Sequence, residues 1–132
     1  FLEDEDGNRT FISSEADAII NPKQEECKYK FKQLCGAGVA FKLVEILYEE
    51  LGIDKNECYE FIEFLAIATV CDVVDLVDEN RIFVKKGLER MNNTTNLGLY
   101  NLITECEMQD KSLSAYHLGF VIGPCINASR KE

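Results

Sequence analysis

The chain is 132 residues long, 46% hydrophobic, and carries a formal charge of −10 at pH 7. That length and apolar content suit one globular unit with its own core, and no apolar run reaches the roughly 20 residues that span a bilayer. The acidic balance argues against indiscriminate adhesion to nucleic acid or anionic membrane, so phosphate chemistry has to rest on a local basic patch or a metal ion.

Six cysteines and sequons at Asn8, Asn92, Asn93 and Asn127 would fit a secreted glycoprotein. Cys58, Cys71 and Cys106, however, sit inside helix-like apolar patterns, where a free thiol serves as a small hydrophobe. No Cys-x-x-Cys pair signals zinc or redox chemistry. The expected setting is cytoplasmic, with reduced thiols and unused sequons.

Phe1 to Glu15 is acidic and unlike a signal peptide, and it begins abruptly, as if cut from a longer protein. The turn residues Asp6-Gly7-Asn8 predict a hairpin with Thr10-Phe11-Ile12 as its return arm. Ala18-Ile19-Ile20, stopped by Asn21-Pro22, predicts a short buried strand, because the residue before a proline avoids helix. Lys23, Lys28, Lys30 and Lys32 follow, interleaved with Tyr29 and Phe31. Such interleaving can hold a nucleic-acid strand by phosphate contact and base stacking. The same pattern also describes an exposed segment with alternate aromatics tucked inward, which the pattern favours.

Cys35-Gly36-Ala37-Gly38 leads into an amphipathic helix predicted over Val39 to Leu51, with Gly52 as its stop. The small residues at its start suit close packing better than phosphate binding. Asp54-x-x-Glu57 predicts a capped start for the next helix, which becomes apolar on more than one face from Phe61 onward and ends near Val70 to Asp72. Asp78-Glu79-Asn80 is read as the cap of a third helix, Arg81 to Met91. The run Asn92 to Asn96 caps a fourth, Leu97 to Cys106. Ser112 or Ser114 caps a fifth, Ala115 to Ile122, broken by Gly123-Pro124. The fold class that follows is mostly α with one or two short N-terminal strands.

Ala66 to Arg81 is the chemically unusual stretch, because Asp72 interrupts an apolar run between Val70-Cys71 and Val73-Val74. A carboxylate there costs several kcal/mol unless it is paired, hydrogen-bonded or bound to metal. Asp72, Asp75 and Asp78 would share a face if the helix continued; a bend after Asp72 makes them a ligand followed by helix caps, the preferred reading. The one histidine, His117, has no partner at nucleophile or zinc spacing, and P-loop and Gly-x-Ser-x-Gly motifs are absent. No complete active site can be assembled from these residues.

Four ordered stretches nevertheless carry a resemblance: Asn21-Pro22-Lys23; Phe31 through Leu43; Ala68 through Leu76 with Glu79-Asn80-Arg81; and Ala115 through Phe120 with Gly123 through Ala128. From about Ala18 onward the chain resembles RecJ-type single-strand-specific DNA exonucleases of the DHH phosphoesterase superfamily. The resemblance implies a fragment of an α/β DHH catalytic domain, residues 1–80, plus the helices leading out of it, residues 81–132. It matches Asp72 to the last metal-binding aspartate of a two-metal Mn²⁺ or Mg²⁺ site, and it makes Lys23, Lys32, Arg81, Asn127 and Arg130 the expected nucleic-acid contacts. The implied partner of the full-length protein is single-stranded DNA, cleaved 5′ to 3′ in recombination and repair.

The family's Asp-His-His triplet is missing and would be expected shortly before Phe1, and Asn127-Ala128-Ser129-Arg130 lacks the glycine usual before the arginine. The segment alone is therefore expected to be inactive, and to self-associate through apolar surface left uncovered. The competing readings are a DHH phosphoesterase of short oligonucleotides or cyclic dinucleotides, and a non-catalytic helical interaction module.

Overall fold

The computed structural model describes Leu2–Glu3, Gly7, Arg9–Thr10 and residues 15–128. β1 (Leu2–Glu3) pairs antiparallel with β2 (Arg9–Thr10), Leu2 opposite Thr10 and Glu3 opposite Arg9. The rest of the expected return arm, Phe11 and Ile12, lies outside the described residues. The strand expected at Ala18-Ile19-Ile20 does not form. The segment runs as irregular chain with Ile19 43% and Ile20 59% exposed. Among the described residues no strand lies beside it to take up its backbone hydrogen bonds, so Pro22 ends a loop instead of a ladder.

The described residues are otherwise mostly helical. α1 (Gly36–Glu50) starts three residues earlier than its apolar stripe suggests, because the Cys35 thiol accepts a hydrogen bond from Gly38 N–H at 3.4 Å and so caps the first turn. It ends in a left-handed Gly52, with Ile53 N–H bonded to the Tyr48 carbonyl at 2.8 Å, the Schellman pattern that glycine favours. Asp54 does cap the next element, accepting from Asn56 N–H at 2.9 Å, but that element is a 3₁₀ helix, Lys55–Phe61. It passes directly into α2 (Ile62–Cys71).

α2 is apolar nearly all round because it lies between two cores. Towards the N-terminal half it packs Ile62 and Leu65 with Leu34, Phe41, Cys58 and Phe83; towards the C-terminal half Ala66 and Ile67 meet Met91, Leu99, Ile103, Leu118 and Ile122. α3 (Asp78–Met91) crosses it at Gly87, where an added Cβ would collide with the Ala66 Cβ and stand 2.7 Å from the Ile62 carbonyl oxygen. The expected cap Asp78-Glu79-Asn80 is corrected here. Val77 is the extended N-cap residue, Asp78 and Glu79 occupy the first turn, where acids suit the helix dipole, and Asn80 is buried.

α4 (Leu97–Glu105) is capped by Asn96, whose side chain accepts from Leu99 N–H at 3.0 Å. The expected break at Gly123-Pro124 is also corrected. α5 (Ala115–His117), a π-turn (Leu118–Ile122) and α6 (Gly123–Ala128) run on without interruption. Pro124 has no N–H for an α-type bond to Phe120, and its ring would press on that carbonyl; the wider π-turn, closed by Gly123 N–H to Leu118 O, gives the ring room. His117 Nδ1 accepts from Ser114 N–H at 3.0 Å, so it closes the start of this helix.

Candidate functional site

The C-terminal end of α2 is where segments far apart in sequence meet. The Cys35 thiol lies 3.6 Å from Thr69 Oγ1. From the other side, a Cβ at Gly119 would stand 3.3 Å from Val70 Cγ1, and one at Gly123 would collide with Cys71 Sγ, so the terminal helix packs on Val70 and Cys71 as closely as glycine allows. Residues 31–38, 68–81 and 115–128 thus converge around one helix end.

Asp72 is the C-cap residue of α2, its own N–H bonded to Ala68 O at 2.9 Å. The sequence pattern suggested a buried carboxylate, and the structure corrects this: Asp72 is exposed because α2 ends one residue before it. The acid that α2 does bury is Glu63, 2% exposed, with Oε2 4.0 Å from Arg90 Nε. No side chain among the described residues bonds to the Asp72 carboxylate, which leaves its oxygens open to a hard cation. It also stands at the negative end of the α2 dipole, where a cation is favoured. As a donor it fits Mn²⁺ or Mg²⁺, but as one ligand only. No group of three or more His, Cys, Asp or Glu able to hold a metal occurs among the described residues.

Beyond Asp72 the backbone is held in an uncommon shape. Val73 has φ 54° and Asp78 φ 42°, left-handed values that a β-branched residue rarely adopts. Just after them, the fully buried Asn80 donates through Nδ2 to the carbonyls of Gln33, at 2.9 Å, and Asp75, at 3.0 Å. Gln33 Nε2 in turn donates to Asp75 Oδ2 at 3.2 Å. Asp75 is therefore part of a brace, not a cap. Sequence reasoning passed over Asn80 as a capping residue, although its spacing to Phe83, Val84 and Gly87 puts it on the buried stripe of α3.

A second cluster lies beside this brace. Tyr29 Oη donates to Glu79 Oε1 at 2.6 Å, and Lys42 Nζ sits 2.8 Å from Glu79 Oε2 and 3.0 Å from Glu45 Oε2. Burial and the hydrogen bond to Glu79 push the Tyr29 phenol up to about 12. For Glu79, burial works to raise the carboxyl, but the hydrogen bonds from Lys42 and Tyr29 outweigh it and hold it below the usual carboxylate range. Tyr29 is thus committed through its hydroxyl, and Phe31 packs against the N-terminal core.

The expected nucleic-acid residues are spread over the surface. Lys23 is exposed in a turn where its N–H bonds Asn21 Oδ1 at 2.9 Å. Lys32 is half-buried, its ammonium donating to the Cys27 carbonyl at 2.6 Å. Arg81 is exposed on the first turn of α3 and Asn127 on α6, while Arg130 lies outside the described residues. No hydrogen bond or ion pair joins Lys23, Lys32, Arg81 and Asn127 to one another.

No family model matches the chain. Curated proteins do. The single-stranded-DNA-specific exonuclease RecJ of Bacillus subtilis is 41% identical over 111 residues, 84% of this chain. The RecJ of Escherichia coli K12 is 34% identical over 124 residues, 86% of the chain, and that of Thermus thermophilus 36% over 96 residues, 73% of the chain. By sequence, this chain is similar to an internal segment of RecJ. It spans 13% of the length of the Bacillus protein, 22% of the Escherichia protein and 14% of the Thermus protein. The stretches that carry the RecJ likeness include the three that converge on the end of α2, which makes that end the place to seek the segment's contribution to chemistry.

Proposed function

We propose that the full-length protein carrying this RecJ-type segment is a metal-dependent phosphodiesterase of the DHH superfamily that degrades single-stranded DNA 5′ to 3′ in recombination and repair, in the cytoplasm. Asp72 is one ligand of its Mn²⁺ or Mg²⁺. The observation that carries the reading is the Asp72 carboxylate, exposed and unengaged where three RecJ-like stretches meet. A divalent metal bound there supplies Lewis acidity toward the phosphodiester and lowers the pKa of an attacking water. The segment's own part is to present Asp72 and to offer Lys23, Lys32, Arg81, Asn127 and Arg130 to the DNA backbone. Residues 1–80 are then the end of the catalytic domain, and residues 81–132 the helical connection out of it.

Asp72→Asn in the full-length protein keeps shape and removes charge. It is expected to lower Mn²⁺-dependent hydrolysis of single-stranded DNA by at least about 100-fold, the scale for losing one electrostatic stabiliser, with an unchanged melting temperature because Asp72 is exposed. Full activity in this variant would overturn the assignment. The segment alone, with one ligand, should show no turnover with Mn²⁺, and genuine turnover would overturn the division of the site between this segment and the rest of the protein. A groove of about 550 Å³, lined by Ile19, Ile20, Pro22, Val39, Leu43 and Ile46, is the surface through which the isolated segment self-associates.

A further inference from the structure

We infer that Asn80 is the positioning residue for Asp72, a role that rests on the metal-ligand reading above. Asp72 stands at the junction of α2 with the loop that follows, its N–H still in the helix, and two left-handed residues, Val73 and Asp78, bound that loop. Val73 is 87% exposed, so its own side-chain packing contributes little to holding it there. A left-handed β-branched residue persists only where its surroundings over-determine it. Asn80 supplies that determination. It is 0% exposed, and one amide nitrogen reaches the Asp75 carbonyl in the loop and the Gln33 carbonyl in the segment before α1. Both partners are acceptors, which fixes the amide orientation, since only the NH₂ side can serve them.

The remaining atom of that amide, Oδ1, is buried and accepts no hydrogen bond from the described residues. An unsatisfied buried acceptor is costly, and nothing in helix packing requires an asparagine on the stripe shared with Phe83, Val84 and Gly87. An apolar residue would fill the position at lower cost while losing both donors. Asn80 therefore acts on the loop, and through the loop on Asp72, without touching metal or substrate.

The test uses the full-length protein and compares wild type, Asn80→Ala and Asp72→Asn. Two readouts are needed: Mn²⁺ titration of single-stranded DNA hydrolysis, and hydrogen exchange of the metal-free protein. Asn80→Ala is expected to raise the Mn²⁺ concentration for half-maximal rate by about tenfold or more, the range for residues that orient a ligand. Its rate at saturating Mn²⁺ should stay within about threefold of wild type, and the amides of residues 73–77 should exchange faster while those of α4 do not.

A folded Asn80→Ala protein with wild-type Mn²⁺ dependence overturns the inference, as does a rate loss that is equal at every Mn²⁺ concentration. If Asn80→Ala does not fold, Gln33→Ala removes only the exposed bond to the Asp75 carboxylate. A smaller shift in the same direction then supports the brace, and no shift overturns it. Full activity of Asp72→Asn would remove the metal-ligand reading and the inference together. An inactive Asp72→Asn beside a wild-type-like Asn80→Ala would remove the inference alone.

Discussion

Glu79 shows how a partly buried acid on the first turn of α3 is turned into a stabilising contact. Its two oxygens take up Tyr29 Oη and Lys42 Nζ, which outweighs burial and lowers its pKa from 4.5. A depressed carboxyl contributes stability that is complete above pH 4.5 and is lost as the pH falls through the folded value. Glu79→Gln is expected to cost about 1 kcal/mol at pH 7, and the difference from wild type should shrink below pH 4.5 in urea unfolding curves. Tyr29 adds the opposite limb: raised from 10.0 to about 12, its contribution is complete below pH 10 and disappears as the pH rises through 12. None of this was legible in the sequence, where Tyr29 and Glu79 are fifty positions apart. Asp72 is legible as a singular residue, and the expected helix end near Val70 to Asp72 agrees with α2 stopping at Cys71; only the burial suggested by the apolar run on both sides is wrong, since a helix end lets the side chain reach solvent. Glu63, the acid that is buried, sits in the equally apolar run Phe61-Ile62-Glu63-Phe64-Leu65, where the same cost argument applies.

The elements themselves were easier to read than their edges. α1, α3 and α4 each have one apolar stripe, and their positions follow from it within a few residues. α2 has no such phase, being covered on both sides, so periodicity could place it but not orient it. Its crossing with α3 depends on Gly87, which in sequence looks like a weak point in a helix. Gly87→Ala should gain the helix propensity of alanine yet lose about 1 to 3 kcal/mol overall, because the new methyl forces Ala66 and the Ile62 carbonyl away. A drop in the urea midpoint with unchanged slope would bear this out; a rise would mean that the helices separate freely. Pro124 misled in the other direction. Its rule as a breaker assumes an α-type register, and the π-turn suspends that assumption.

For the molecule as a whole, the two cores share α2 and α3, so neither can be lost without exposing the other. The apolar surface is less evenly treated. Leu43, Ile46 and Leu47 on α1 and Leu51 just after it are exposed, and Leu43 and Ile46 line the groove with Ile19 and Ile20. Light scattering on the isolated segment should give a mass that climbs with concentration, and Ile46→Lys should return it to the monomer; a monomer at all concentrations would count against this surface as an interface. The sequence disclosed the mostly helical character of the fold, because apolar stripes and caps are local. It did not disclose the brace, since Gln33, Asp75 and Asn80 meet only when the segment before α1 is laid against the loop after α2.

The π-turn has a geometric consequence for everything after it. Such a turn holds one residue more than the α-turn it replaces, so each later position is rotated by about 100° and set back by about 1.5 Å relative to an uninterrupted α-helix of the same residues. Removing one residue between Leu118 and Ile122 would let an α-turn span the same ends and leave Asn127 facing as it does, whereas tightening the π-turn to an α-turn with every residue kept would turn Asn127 to another direction. The aim of that end of the segment is thus written in the width of one turn, and losing that width, rather than losing the extra residue, is what would redirect it.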